Sequence, residues 1–165
     1  YIEGYYDSPV YLKMADATSL SDTDESPVTE FKGLLACFYN IDYKNNDCIE
    51  IRTTSDARKS RHIKASNNEE FNKEFIIYAT SDEELARLEN SDIQSKILKI
   101  NNRNLCDFDI VIRNGKVFIR VWLKNIFEPD FFDATQGHKT LYEHYEVVKI
   151  VFDLFDAVRE YLEKE

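Results

Sequence analysis

The sequence predicts an α+β fold: a mainly antiparallel sheet of about six or seven strands, a short middle helix pair and a long C-terminal helix closing one side. Three observations carry that prediction. Asn114-Gly115 separates two apolar-rich runs, and Asn and Gly tolerate the positive φ that both central positions of a type I′ hairpin turn require. Glu74 to Thr80 is an apolar, β-branched and aromatic run that stops at Ser81, with Glu84 three residues on, as in a capping box. From Thr140 to about Lys164, apolar residues recur at helical spacing over roughly 36 Å of helix.

The elements follow in order. Val10, Leu12 and Met14 alternate with Tyr11, Lys13 and Ala15, the period of a half-buried strand. Leu20 to Thr29 reads as a loop. Phe31 to Ile41 is almost continuously apolar, as a central strand would be, and Lys44-Asn-Asn-Asp47 turns the chain into a strand from Cys48 to Thr53. Thr54 to Asn68 is a polar connection. After the strand ending at Thr80, Asp82 to Asn90 forms a short helix. Ser91, with Gln94 three residues later, repeats the capping pattern ahead of Ile93, Ile97 and Ile100. In the hairpin, the turn sets Ile112 opposite Val117, Ile110 opposite Ile119 and Phe108 opposite Val121. Asp109 then faces Arg120 as a favourable cross-strand pair. Ile126 to Gly137 is an aromatic loop.

With 165 residues and 43% hydrophobic composition, residues 1–165 suit one soluble domain with its own core. The longest apolar run, Gly33 to Tyr39, is far short of the roughly 20 residues of a spanning helix. The chain opens on Tyr1 rather than Met, which leads us to expect a fragment of a longer protein. A net charge of −10 argues against nucleic acid as a partner, because a polyanion must be met by clustered Lys and Arg. Cys37, Cys48 and Cys106 are odd in number and lack C-x-x-C spacing, so we read them as reduced residues of a cytoplasmic protein.

No catalytic residue, metal site or cofactor emerges from the pattern. His138 and His144 are six residues apart, the wrong interval for one helical face. Asp22-Thr-Asp-Glu25 lacks the Gly and distal Glu of a calcium loop. Asp82, Glu83 and Glu84 suit the first turn of a helix through its dipole. Four glycines in all leave little for a phosphate-cradling loop.

Two binding surfaces are expected instead. Arg58, Lys59, Arg61 and Lys64 form the one concentrated basic stretch and suit anionic lipid headgroups. On the C-terminal helix, Val147, Ile150, Leu154 and Tyr161 widen the apolar stripe to about 220°, beyond the roughly 100° or slightly more of a surface helix. The sheet and the helix after Ser91 would cover part of this arc. We expect a protein partner or a second copy of the chain on the side holding those four residues.

Phe31-Lys-Gly-Leu-Leu35, Phe71-Asn-Lys-Glu-Phe75, Tyr78-Ala-Thr-Ser-Asp82, Ala86-Arg87 and Phe127-Glu128-Pro129 stand in the order of a bacterial family. The chain resembles that family, catalogued as domain of unknown function 3137. After Ala86-Arg87, Leu88-Glu-Asn-Ser91 replaces a Leu-Leu-Thr-Pro type ending, so the helix junction is expected to differ. The resemblance implies membrane-spanning helices ahead of a soluble domain, and it brings no established site residues. The function expected is thus that of a non-catalytic cytoplasmic domain of a bacterial membrane protein, binding a protein partner or the anionic bilayer surface. The alternative is an enzyme whose site is assembled from distant carboxylates and histidines.

Overall fold

The computed structural model describes residues 2–7, 9–21, 28–41, 48–54, 63–64, 66–103, 105–122 and 137–163. The strands are β1 (Ile2–Asp7), β2 (Val10–Ser21), β3 (Val28–Tyr39), β4 (Cys48–Thr53), β5 (Ile63–Lys64), β6 (Phe75–Ala79), β7 (Phe108–Arg113) and β8 (Lys116–Trp122). The helices are α1 (Glu69–Glu74), α2 (Asp82–Glu89), α3 (Ile93–Asn101) and α4 (Gly137–Leu162). The strands form one sheet in the order β1-β2-β3-β8-β7-β4-β6-β5, every neighbouring pair antiparallel. The α+β class is as predicted. Eight strands rather than six or seven result from β1 and the two-residue β5.

The hairpin forms in the expected register, with Phe108 opposite Val121, Asp109 opposite Arg120, Ile110 opposite Ile119 and Ile112 opposite Val117. Asn114 (φ 51°) and Gly115 (φ 67°) make the turn, and the Ile41 N–H donates to the Gly115 carbonyl at 3.1 Å. The 20–29 loop is shorter than expected, because Leu20 and Ser21 belong to β2, and Val28 and Thr29 to β3. Among the described residues β8 pairs with β3 over Gly33–Phe38, while β2 and β3 stay paired out to Ser21 and Val28.

Ser81 caps α2 by accepting from the Glu84 N–H at 3.2 Å, as expected. The second capping box does not form at Ser91. The cap residue of α3 is Asp92, while Ser91 donates its hydroxyl to the Leu88 carbonyl at 2.7 Å and so closes α2. Helix α1 was not anticipated. Asn68 caps it by accepting from the Phe71 N–H at 3.0 Å, and Glu69 and Glu70 occupy its positive end.

The core lies on one face of the sheet. Leu34, Ala36 and Phe38 of β3, Ile49 and Ile51 of β4, and Ile110, Val117 and Ile119 of the hairpin are buried there. Phe155 of α4 stacks on Phe38 with ring centroids 3.7 Å apart, and Phe71 of α1 leans on Phe75 of β6 at 5.0 Å. Leu88, Ile93 and Ile97 bring α2 and α3 into the same cluster. The opposite sheet face carries no helix among the described residues.

Candidate docking face

The four α4 residues expected to face a partner lie inside the domain. Leu154 is fully buried, and Val147, Ile150 and Tyr161 are at most 4% exposed. Their cover is the chain's own, which corrects the expectation. Helix α4 sits in a trough between sheet and helices, with α3 alongside and α2 against its C-terminal end. Tyr161 shows how closely that end is bound. Its hydroxyl donates to Glu84 Oε2 at 3.2 Å, and Arg87 lies over its ring at 4.7 Å. The same arginine donates to the Tyr161 carbonyl at 3.3 Å and pairs with Glu84 at 3.6 Å. Ion pairs of Lys96 with Glu160 and Arg103 with Asp153 seal the α3–α4 seam. Among the described side chains of α4, the large apolar ones left exposed are Tyr142 and Tyr145, near its start.

Of the basic stretch, Arg58, Lys59 and Arg61 lie outside the described residues, and Lys64 is described in backbone only. The acidic stretch 22–25, the 44–47 turn and most of the aromatic loop, 126–136, also lie outside them. Strand β5, which carries Lys64, sets Ile63 opposite Tyr78 and Lys64 opposite Ile77. It therefore runs away from the end of the sheet that bears the 114–115 turn.

At that end, the helix-free face presents a row of side chains that sequence reading missed. Tyr5 stands opposite Tyr11, and Tyr11 opposite Tyr39, with centroids 5.4 Å and 6.5 Å apart. Lys116 continues the row, its ammonium 5.3 Å from the Tyr39 ring, and Arg113 stands opposite Lys116 on the other side of the turn. Lys13 reaches over Tyr11 at 6.0 Å. Tyr5 is 74% exposed, and Arg113 and Lys116 are both exposed. Like charges directly opposite each other destabilise a strand pair. Among the described residues neither of these two cations has an ion pair, so the row gathers two positive charges at the hairpin tip of an acidic protein.

Among the described residues of this face, Arg120, Arg52 and Lys13 are ion-paired. Arg120 donates to Asp109 Oδ2 at 2.7 Å, the Thr53 N–H donates to Asp109 Oδ1 at 3.2 Å, and Asp109 itself is fully buried. Arg52 pairs with Glu50 at 2.5 Å and Lys13 with Glu3 at 3.8 Å. The row is where positive charge remains available. Tyr11's phenol is raised above its ordinary value, first by desolvation and then by the Glu3 carboxylate that accepts its hydrogen. It stays neutral at physiological pH.

A cleft of about 530 Å³ opens at the other end of the sheet, lined by Thr53, Thr54, Glu74, Asn101, Leu105, Cys106, Asp107 and Trp122. Burial pushes the Cys106 thiol up to about 11, which keeps it protonated and a poor nucleophile near neutral pH. Cys37 and Cys48 are also free thiols raised chiefly by burial. The buried carboxylates Glu84 and Asp109 are committed to the structural bonds above. His144 is half-buried on α4, while His62 and the His138 side chain lie outside what is described. Among the described residues, no three His, Cys, Asp or Glu side chains converge to hold a metal ion. No described helix is long and apolar enough to cross a membrane.

Fold and surface together define an α+β domain with one face packed by helices and the other left to an aromatic and cationic row. The chain belongs to the family described as protein of unknown function (DUF3137), whose model matches residues 28–159. That span runs from the first residue of β3 into the last turns of α4, so Tyr39, Arg113 and Lys116 fall inside it and Tyr5 and Tyr11 outside. Among solved structures, the mycobacterial trehalose monomycolate transport factor A is similar at a TM-score of 0.38 and 10% identity, over 93% of this chain and 81% of that one. No curated protein matches.

Proposed function

We propose that this domain is a non-catalytic docking module that meets an anionic surface, the cytoplasmic face of a bilayer, with the hairpin-tip end of its open sheet face. The observation that supports this reading is the Tyr5–Tyr11–Tyr39–Lys116–Arg113 row, whose exposed cations stand at the end of an aromatic ladder. Tyrosine sits well at a membrane interface because its ring is apolar and its hydroxyl is not. Each Lys or Arg near an anionic leaflet contributes about 1 kcal/mol, and the effect fades within a Debye length of about 8 Å at physiological salt. Arg58, Lys59, Arg61 and Lys64 enter the same reading by their charge, as the one concentrated basic stretch of an acidic sequence. The net charge of −10 opposes contact elsewhere, so binding is weak, local and orienting.

Co-sedimentation with vesicles of phosphatidylglycerol and phosphatidylcholine tests this. The wild-type domain should bind at low salt and release as salt rises. Binding should fall when Arg113 and Lys116 are both replaced by Gln, and again when the four basic residues from Arg58 to Lys64 are replaced by Ala. Undiminished binding by the folded Arg113→Gln/Lys116→Gln protein, or equal binding to pure phosphatidylcholine, contradicts the proposal.

A further inference from the structure

Among the described strands, β1 stands at one end of the sheet. Among the described residues the opposite edge, β5, is two residues long, so β1 is the longer of the two free edges. A six-residue edge leaves a row of backbone donors and acceptors open to another strand; natural edges are usually blunted by charged side chains, Lys above all, by Pro or by a bulge, and the charges on β1 are Glu3 and Asp7. β1 contains neither Lys nor Pro, and its bulge lies late, between Tyr5 and Asp7. Its first residues are flat and exposed: Ile2 is 46% and Tyr5 74% exposed, and a side chain at Gly4 would meet nothing within 4 Å.

We propose that β1 pairs with β1 of a second copy of this chain, antiparallel and centred on Gly4. Two-fold symmetry requires each antiparallel register to be self-complementary, and charge selects among them. Centring on Tyr5 sets Glu3 against Asp7 twice, and centring on Glu3 sets two glutamates face to face. Centring on Gly4 avoids both clashes. Ile2 then meets the second copy's Tyr6 on the core side, where Tyr6 already packs on Phe38, Phe152 and Phe155 at 5.2–5.8 Å. On the open side Glu3 meets the second copy's Tyr5, repeating the hydrogen bond that Glu3 accepts from Tyr11 within one chain. Pairing of one short strand buries less than the roughly 1,200–2,000 Å² of a stable interface, so the dimer is weak and concentration-dependent. It sets two tyrosine rows side by side across the seam.

Cross-linking reads the register directly. Antiparallel partners have Cα atoms about 4.5–5.5 Å apart, within the roughly 4.4–6.8 Å that a disulfide spans. Under mild oxidation Gly4→Cys should form covalent dimers at least tenfold faster than Tyr5→Cys or the wild type with its three native thiols. Sedimentation should show a reversible wild-type dimer, shifted to monomer by Ile2→Lys, a change at an exposed site. Equal cross-linking at positions 4 and 5 overturns the register. A wild-type protein that stays monomeric at high concentration, with no cross-link from Gly4→Cys, overturns the pairing and leaves the edge to an extended segment of another protein.

Discussion

The two faces of the sheet solve opposite problems with the same backbone. On the core face, alternate residues of six strands are aliphatic or aromatic, and α4 lies across them with nine of its last sixteen residues buried. On the other face, the same strands interleave Tyr, Lys, Arg and Glu with half-buried apolar residues such as Leu35, Phe118 and Trp122, and bury Phe31, Cys37 and Asp109. The core face gains stability from area removed from water. The open face is held by cross-strand pairs, each contributing a few tenths to about 1 kcal/mol. Perturbation of the first should cost folding, and perturbation of the second should cost binding.

The sharpest way to break that division is Leu154→Lys. An unpaired charge in a closed core costs several kcal/mol, on the order of 4–5 or more. Urea denaturation should show a domain that is largely unfolded without denaturant. Normal stability with altered self-association would return α4 to the surface role that its wide apolar arc suggests in sequence.

Asp109 tests a polar place where the open face behaves like a core. Asp109→Ala removes the partner of Arg120 and the acceptor of the Thr53 N–H, a loss of about 3–5 kcal/mol for a broken buried pair. Asp109→Asn keeps the shape and should recover part of that loss. An Ala variant as stable as wild type would mean that the pair is solvated in solution.

A smaller effect comes from the edge of the core face, where β1 meets α4. Tyr6 donates to Asp156 Oδ1 at 2.8 Å, and its phenol is pushed up to about 12, by desolvation first and by Asp156 second. A tyrosine raised in the folded state contributes stability that is complete below its unfolded value near 10 and lost as pH rises toward 12. Stability should therefore fall through that window, and less so in Tyr6→Phe. Identical pH profiles for the two proteins would remove Tyr6 from the account.

Local chemistry made much of the core face legible in the sequence. Asn-Gly fixes a two-residue turn, and the turn fixes the register of everything from Phe108 to Val121. Ser81 and α4 were legible for the same reason, through a cap and a long period. Helix α1 was not, because six residues with Phe71 as their buried apolar member are too short to display a helical period. Asn68 followed by Glu69-Glu70 was its one available signal. β1 was missed because an edge strand buries neither face well and so need not alternate.

The candidate site was harder still. Its five side chains come from five strands and meet only once the order β1-β2-β3-β8-β7 is known. The width of the α4 arc was read correctly and its cover was not. The helix after Ser91 was expected beside α4, but sequence could not show that α2 borders it as well, or that Glu84, placed as a first-turn acid, turns inward to receive Tyr161.

Hydrogen exchange of the domain bound to anionic vesicles tests the docking assignment most directly, because it reports both faces at once. The account predicts slowed exchange at residues 39–41 and 113–116, with α4 exchanging as it does in the free protein. Protection confined to the start of α4 around Tyr142 and Tyr145, with the hairpin tip unchanged, would contradict it.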